Sequence, residues 1–145
     1  MNGNNLTDSK FMLYITDDDS QDREFLTDAL SRRKRQVAFR EFENGQELIE
    51  NLITSSHRLP DLILLDLNMP VKNGYDTLEE IRQLDESKNI PVIIFTASSR
   101  VEDKERCYKL GCNNFIVKPF SFTEYEKVAD DIILFLDNMQ RRKAS

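Results

Sequence analysis

The chain has 145 residues, 39% of them apolar and 32% charged, with a formal net charge of -6. This is the size of one domain around one hydrophobic core; the acidic balance speaks against DNA or RNA as a direct partner, and no apolar run approaches the roughly 20 residues that cross a bilayer. The opening MNGNNLTDSK lacks the charged-then-apolar design of a secretory signal, so a cytoplasmic protein without membrane insertion is expected.

Residues 1–9 read as a flexible N-terminal segment, 10–138 as one folded domain and 139–145 as a frayed C-terminal tail that contains Arg141, Arg142 and Lys143. The first strand is FMLYI at 11–15. A helix near 20–34 follows, closed by Arg32, Arg33, Lys34 and Arg35, cations that complement the negative end of a helix dipole and read as a solvated helix end. VAFREF at 37–42 is a strand interrupted by Arg40 and Glu41, which suits a sheet edge. A helix near 44–55 leads through SSHRLP, whose His57 is the chain's one histidine and reads as a surface residue, to the strand LILL at 62–65.

A helix near 74–86, the strand VIIF at 92–95, a helix near 100–110, the strand NFIV at 114–117 and a helix near 121–138 complete the pattern. The last helix has one apolar stripe, Phe122, Tyr125, Ala129, Ile132, Ile133 and Leu136, with Ser121 as N-cap and Glu124 as its capping-box partner. By contrast RVEDKERCYKL is mostly polar and is expected to be the loosest helix. Cys107 and Cys112, without a second pair to complete a zinc site, read as reduced structural thiols. Continuously apolar strands alternating with helices give a doubly wound α/β sandwich, a five-stranded parallel sheet with right-handed crossovers.

In such sheets function gathers beyond the carboxyl ends of the strands. Those ends carry Asp17, Asp18 and Asp19 after strand one, Asp66 after strand three, Thr96 closing strand four, and Lys118 with Pro119 after strand five. Carboxylates this close repel unless a cation sits among them. An all-oxygen cluster with few protein ligands suits Mg²⁺, and the Asn68 carbonyl would supply another oxygen. Asp19, followed by Ser20, fits a helix cap better than a ligand. Asp66 beside a metal and the Lys118 ammonium has the makings of a nucleophile toward phosphorus, with the Thr96 hydroxyl and the Ala97 amide as donors to phosphoryl oxygens.

The string DLILLDLNMPVKNG, the acidic pair after FMLYIT, PVIIFTAS and NNFIVKPF together resemble the receiver domain of bacterial two-component response regulators, over about residues 10–138. The resemblance implies a flavodoxin-like (βα)5 fold of strand order 2-1-3-4-5. It further implies Asp66 as phosphoacceptor, Mg²⁺ (or Mn²⁺) held by Asp18 directly, by Asp17 largely through water, by Asp66 and by the Asn68 carbonyl, and Thr96, Ala97 and Lys118 at the phosphoryl oxygens. Thr96 and Phe115 fall at the switch positions, and the bond before Pro119 is cis in most of the family. Phe115 stands where many members have tyrosine, and Thr16 where most have an apolar residue.

The implied partners are a sensor histidine kinase or histidine phosphotransfer protein and a downstream effector. Charged residues on the last two helices leave room for a phosphorylation-dependent homodimer. No output domain follows in this sequence, so a stand-alone receiver is expected, one that catalyses only its own phosphorylation and dephosphorylation. A haloacid-dehalogenase-type phosphatase would carry its nucleophile after strand one with a second Asp two residues later; here strand three ends in Asp66, and Asn68 follows. A flavodoxin-like FMN carrier would not place three aspartates in its phosphate loop. A constitutive docking module would have no use for the complete set of site residues.

Overall fold

The structure, a computed structural model, describes residues 11–54 and 58–144; the segment 1–9 and His57 lie outside the described residues. Five strands, β1 (Phe11–Thr16), β2 (Val37–Phe42), β3 (Leu62–Leu65), β4 (Val92–Thr96) and β5 (Asn114–Val117), form one parallel sheet in the order β2-β1-β3-β4-β5. The helices α1 (Ser20–Ser31), α2 (Gly45–Thr54), α3 (Gly74–Gln83), α4 (Val101–Leu110) and α5 (Phe122–Ala144) alternate with them. Every residue of β1, β3 and β4 is buried, because helices cover both faces of the central strands. The edge strands β2 and β5 are only partly covered, as the charges in VAFREF anticipate.

Each face has its own core. Met12, Tyr14, Ile63, Leu65 and Ile94 meet Leu48, Ile49, Leu52, Leu78 and Ile81 of α2 and α3 on one side. Leu13, Ile15, Leu64 and Phe95 meet Leu26, Leu30, Ala129, Ile132 and Leu136 of α1 and α5 on the other. Each buried Leu, Ile, Met or Phe among them contributes about 1.5–3 kcal/mol, so the sheet is a rigid platform for whatever stands on its rim.

The helices are fixed unequally. Asp19 caps α1, accepting from the Gln21 and Asp22 amides at 2.9 and 3.2 Å, as its position after the acidic pair suggests. Asn73 caps α3 through the Asp76 amide. α4 has no side-chain cap at Arg100 and buries only Cys107, which agrees with the weak anchoring expected of it. Its other end is firm: Gly111 closes it at φ 103°, where a side chain would be strained and would crowd Arg82. The Arg82 guanidinium donates to the carbonyls of Gly111 and Ile90 and to the Asn113 side chain. Cys107 and Cys112 are buried and free, with burial pushing their thiols up to about 12 and about 11, so they behave as inert structural thiols.

Three expectations are corrected. The run Arg32 to Arg35 does not close α1, which stops at Ser31; it crosses to α5, where Arg32 and Arg33 meet Glu126, Arg33 also meets Asp130 at 2.7 Å, and Arg35 meets Asp137 at 3.2 Å. The tail is helical through Ala144: Met139, Gln140 and Lys143 line a small hollow with Phe11 and Asp61, and the basic residues beyond it complement the dipole of the last turn. Phe122 is 70% exposed rather than buried, because it occupies the first position of α5, beyond the covered sheet, and packs edge-on against Phe25 at 5.0 Å. Among the described residues no helix is long and apolar enough to cross a membrane.

The arginine clamp makes a prediction. Replacing Arg33 with methionine should lower stability by about 1 kcal/mol at low salt, and the deficit should shrink as salt screens the parent's ion pairs; denaturant titrations at two ionic strengths measure both.

Candidate functional site

The sheet itself sets the site residues in place. Asp17 donates its amide to the Phe42 carbonyl at 3.0 Å, Asp66 to Thr16 at 3.0 Å and Lys118 to Thr96 at 2.7 Å. Each of these residues lies one step past its strand, yet its backbone still pairs with the neighbouring strand. Their side chains therefore leave a common rim with little freedom in the main chain. Ligand-type oxygens of Asp17, Asp18 and Asp66 all lie within 4.8 Å of one another, with Asp17 and Asp66 buried and Asp18 exposed.

Lys118 places its ammonium in this cluster, 2.7 Å from Asp17, 2.8 Å from Asp22 and 3.3 Å from Asp66. The other Asp66 oxygen, Oδ1, accepts from the Leu67 amide at 2.8 Å, which turns the carboxylate toward the lysine. Asp17 Oδ1 accepts from the Asp19 amide at 2.9 Å, and its carbonyl is held by Arg23, whose Nε bonds Glu41 at the end of β2. Burial pushes the Asp17 carboxyl up to about 6; the bonds to Lys118 and the Asp19 amide pull it down, and the Asp66 charge pushes further upward. For Lys118 burial alone favours the neutral amine, but bonds to Asp17 and Asp22 and the charge of Asp66 outweigh it and hold the ammonium above its usual range.

Thr96 is fully buried, and its hydroxyl accepts from the Ser98 amide at 3.4 Å. Ala97 is exposed at the start of the β4–α4 loop. With Asn68, Leu67, Tyr75, Ser98, Ser99, Arg100 and Asp103 it lines an open hollow of about 520 Å³ beside the carboxylates. Phe115 is half-buried against the α2–α3 side of the core. The Lys118–Pro119 peptide is trans, for no cis bond occurs among the described residues; this departs from the family expectation and is the isomer X–Pro bonds favour by about 0.5–1 kcal/mol.

The structure also shows what the sequence reading missed. Asp22 is a direct partner of Lys118; the signal was its place one helical turn after Asp18, which returns it to the rim. Gly74 packs against the Asp66 loop, and a Cβ there would stand 2.2 Å from the Asp66 carbonyl oxygen and 2.6 Å from Leu67 Cα. Only glycine lets α3 begin so close to the backbone of Asp66 and Leu67. Asp103 of α4 accepts from the hydroxyls of Tyr75 and Ser98, joining the β4–α4 loop to α3.

An oxygen-only donor set, two of its members buried, with one ammonium as the nearby cation, fits a hard divalent ion. Metal-free, the site carries a cost at neutral pH. The raised Asp17 carboxyl means that the native state holds this proton more tightly than the unfolded chain, whose ordinary value is 3.8. The stability this contributes is complete below that value and is lost as pH rises through about 6. In chelator at about pH 8, Asp17→Asn should therefore be more stable than the parent by about 1–3 kcal/mol, and the gap should close in acid; denaturant titrations across pH check the sign.

A profile of the response regulator receiver domain matches residues 13–130. The structure is similar to that of the phosphorylated cyanobacterial phytochrome response regulator RcpA, at TM-score 0.80 and 27% identity over 87% of this chain and 93% of that one. It is also similar to the Mn²⁺-bound form of the response regulator Rcp1, at TM-score 0.78 and 26% identity over 84% and 91% of the two chains. In sequence the chain is 37% identical to the transcriptional regulatory protein ResD of Bacillus subtilis over 109 residues, 75% of this chain and 42% of that one. It spans less than half the length of the curated relatives it matches.

Proposed function

The chain belongs to the response regulator receiver domain family, and on that footing we propose that Asp66 is its phosphoacceptor, charged from a phosphohistidine on a sensor histidine kinase or histidine phosphotransfer protein. The observation that carries the reading is the buried Asp66 carboxylate, 3.3 Å from the Lys118 ammonium and clustered with Asp17 and Asp18. An Asp66 oxygen forms a bond to phosphorus as the donor's N–P bond breaks, and the imidazole leaves with the electron pair. Asp17, Asp18, Asp66 and the Asn68 carbonyl are the proposed ligands of Mg²⁺, or of Mn²⁺ as in the neighbouring Rcp1 structure. When bound, the ion neutralises charge on the transferring group. Lys118 holds a second equatorial oxygen, and the Thr96 hydroxyl and Ala97 amide donate to the third.

Thr96 and Phe115 are the proposed switch. Thr96 now accepts from Ser98; turning its hydroxyl to a phosphoryl oxygen frees that amide and lets the β4–α4 loop move, with Phe115 following into the space. The surface that changes is α4–β5–α5, where Tyr108, Val117 and Leu134 are already exposed. A downstream effector, a relay protein or a second copy of this chain would read it there, in the cytoplasm. On this reading the chain turns over no external metabolite beyond gaining and losing its own phosphoryl group.

Incubation with acetyl phosphate and Mg²⁺ should give one phosphoryl adduct by intact mass, absent from Asp66→Asn and from a chelated control. An adduct that persists on Asp66→Asn would overturn the assignment. Amide exchange supplies a second check: with beryllofluoride bound, protection in residues 97–118 should change while that of β1 and β3 stays constant.

A further inference from the structure

The three hydrogens of the Lys118 ammonium face three carboxylates, but these are not equivalent. Asp17 and Asp66 belong to the cluster whose oxygens converge within 4.8 Å; Asp22 does not. Asp22 stands on the first turn of α1 with its side chain 26% exposed, whereas those of Asp17 and Asp66 are 5% and 7% exposed. A divalent cation drawing on Asp17 and Asp66 competes with Lys118 for two carboxylates whose other oxygens already accept from the Asp19 and Leu67 amides. The lysine side chain is itself only 11% exposed, so an ammonium released from both would have little water to receive it. Asp22, at 2.8 Å, is the acceptor that remains.

We propose that Asp22 is a positioning residue that takes up the Lys118 ammonium when Asp17 and Asp66 engage a divalent cation, and so keeps the lysine at the mouth of the site. The assignment rests on the phosphoacceptor reading above and concerns how its metal enters. With Asp22 the exchange is one ion pair for another within the same pocket. Without it, Lys118 stays on Asp17 and Asp66 and competes with the metal for them. Asp22 thus acts through Lys118, and its effect must vanish when the lysine is gone.

A double-mutant cycle read by Mn²⁺ binding, followed by calorimetry on the full chain, tests this. Asp22→Asn should weaken Mn²⁺ binding about fivefold, Asp22→Glu should restore most of it, and Lys118→Met should bind more tightly than the parent. In the Lys118→Met background, Asp22→Asn should change the affinity less than about twofold. A loss of equal size in both backgrounds would mean that Asp22 contributes only bulk negative charge, and would overturn the proposal. So would parent-like binding by Asp22→Asn. Thermal unfolding without metal identifies any variant that fails to fold, and Asp22→Ser then takes the place of Asp22→Asn with the same expectations. Absence of Mn²⁺ binding by both the parent and Lys118→Met would overturn the metal reading itself, and the role of Asp22 with it.

Discussion

One ammonium among carboxylates that have little water organises the functional end of this molecule. Asp17 and Asp66 are buried and ionisable at the rim of a parallel sheet, where opposing charge must come from somewhere close. Lys118 supplies it from the far side of the sheet, and the order β2-β1-β3-β4-β5 makes this reach necessary: β1 and β3 are neighbours, while β5 lies beyond β4 at the edge. The lysine therefore ties the edge strand to the centre. Its own surroundings would favour a neutral amine but for the acids it touches, so neither partner is comfortable alone. A site built in this way is held by charge balance, and a ligand that alters the balance has direct leverage on the β5 end of the sheet.

That leverage meets an unevenly anchored set of helices. α5 is held along its length, by Ala129, Ile132 and Leu136 in the core and by Arg32, Arg33 and Arg35 reaching from the end of α1. α4 buries one residue and is secured at its C-terminal end by Gly111 and the branching contacts of Arg82. Its N-terminal end depends on Asp103, through Tyr75 and Ser98, and on Arg106 stacked 3.8 Å over the Tyr75 ring. These contacts border the hollow shared by Asn68 and Ala97. In the proposed switch, displacement of the β4–α4 loop would act on the weak end of α4, with the strong end as a pivot.

Much of this was legible in the residues because the strongest constraints are periodic or local. LILL and VIIF have no polar position, which only a strand covered on both faces accepts, and Arg40 and Glu41 mark β2 as an edge. The cap at Asp19 and the convergence of Asp17, Asp18, Asp66 and Lys118 follow from strand ends in a parallel sheet. What escaped the reading depends on distance in sequence. Nothing near Arg32 to Arg35 announces that their partners stand on α5, 93 and 102 residues away. Periodicity could not say that α5 continues to Ala144, since past the half-buried Met139 its last residues, Gln140 to Lys143, are exposed and carry no apolar stripe. Nor could it expose Phe122, which shares the phase of the buried stripe but lies past the end of the covered surface.

The position of Gly74 shows how tightly these levels join. The Asp66 carboxylate needs the Leu67 amide to orient it, and Leu67 in turn accepts from the Gly74 amide at 2.8 Å. That bond draws the first turn of α3 onto the backbone of the acidic loop, closer than any β-carbon could approach. Asn73 then caps the same turn. The chain from carboxylate to loop to helix leaves the main chain around Asp66 without slack, so chemistry at this residue cannot be absorbed by β3 or α3. On the phosphoacceptor reading, strain from a new charge would pass instead to the Lys118 side chain, the Thr96 hydroxyl and the loop before α4. The direction of any signal is thus set less by the loose helix than by the rigidity of everything else that touches the acid.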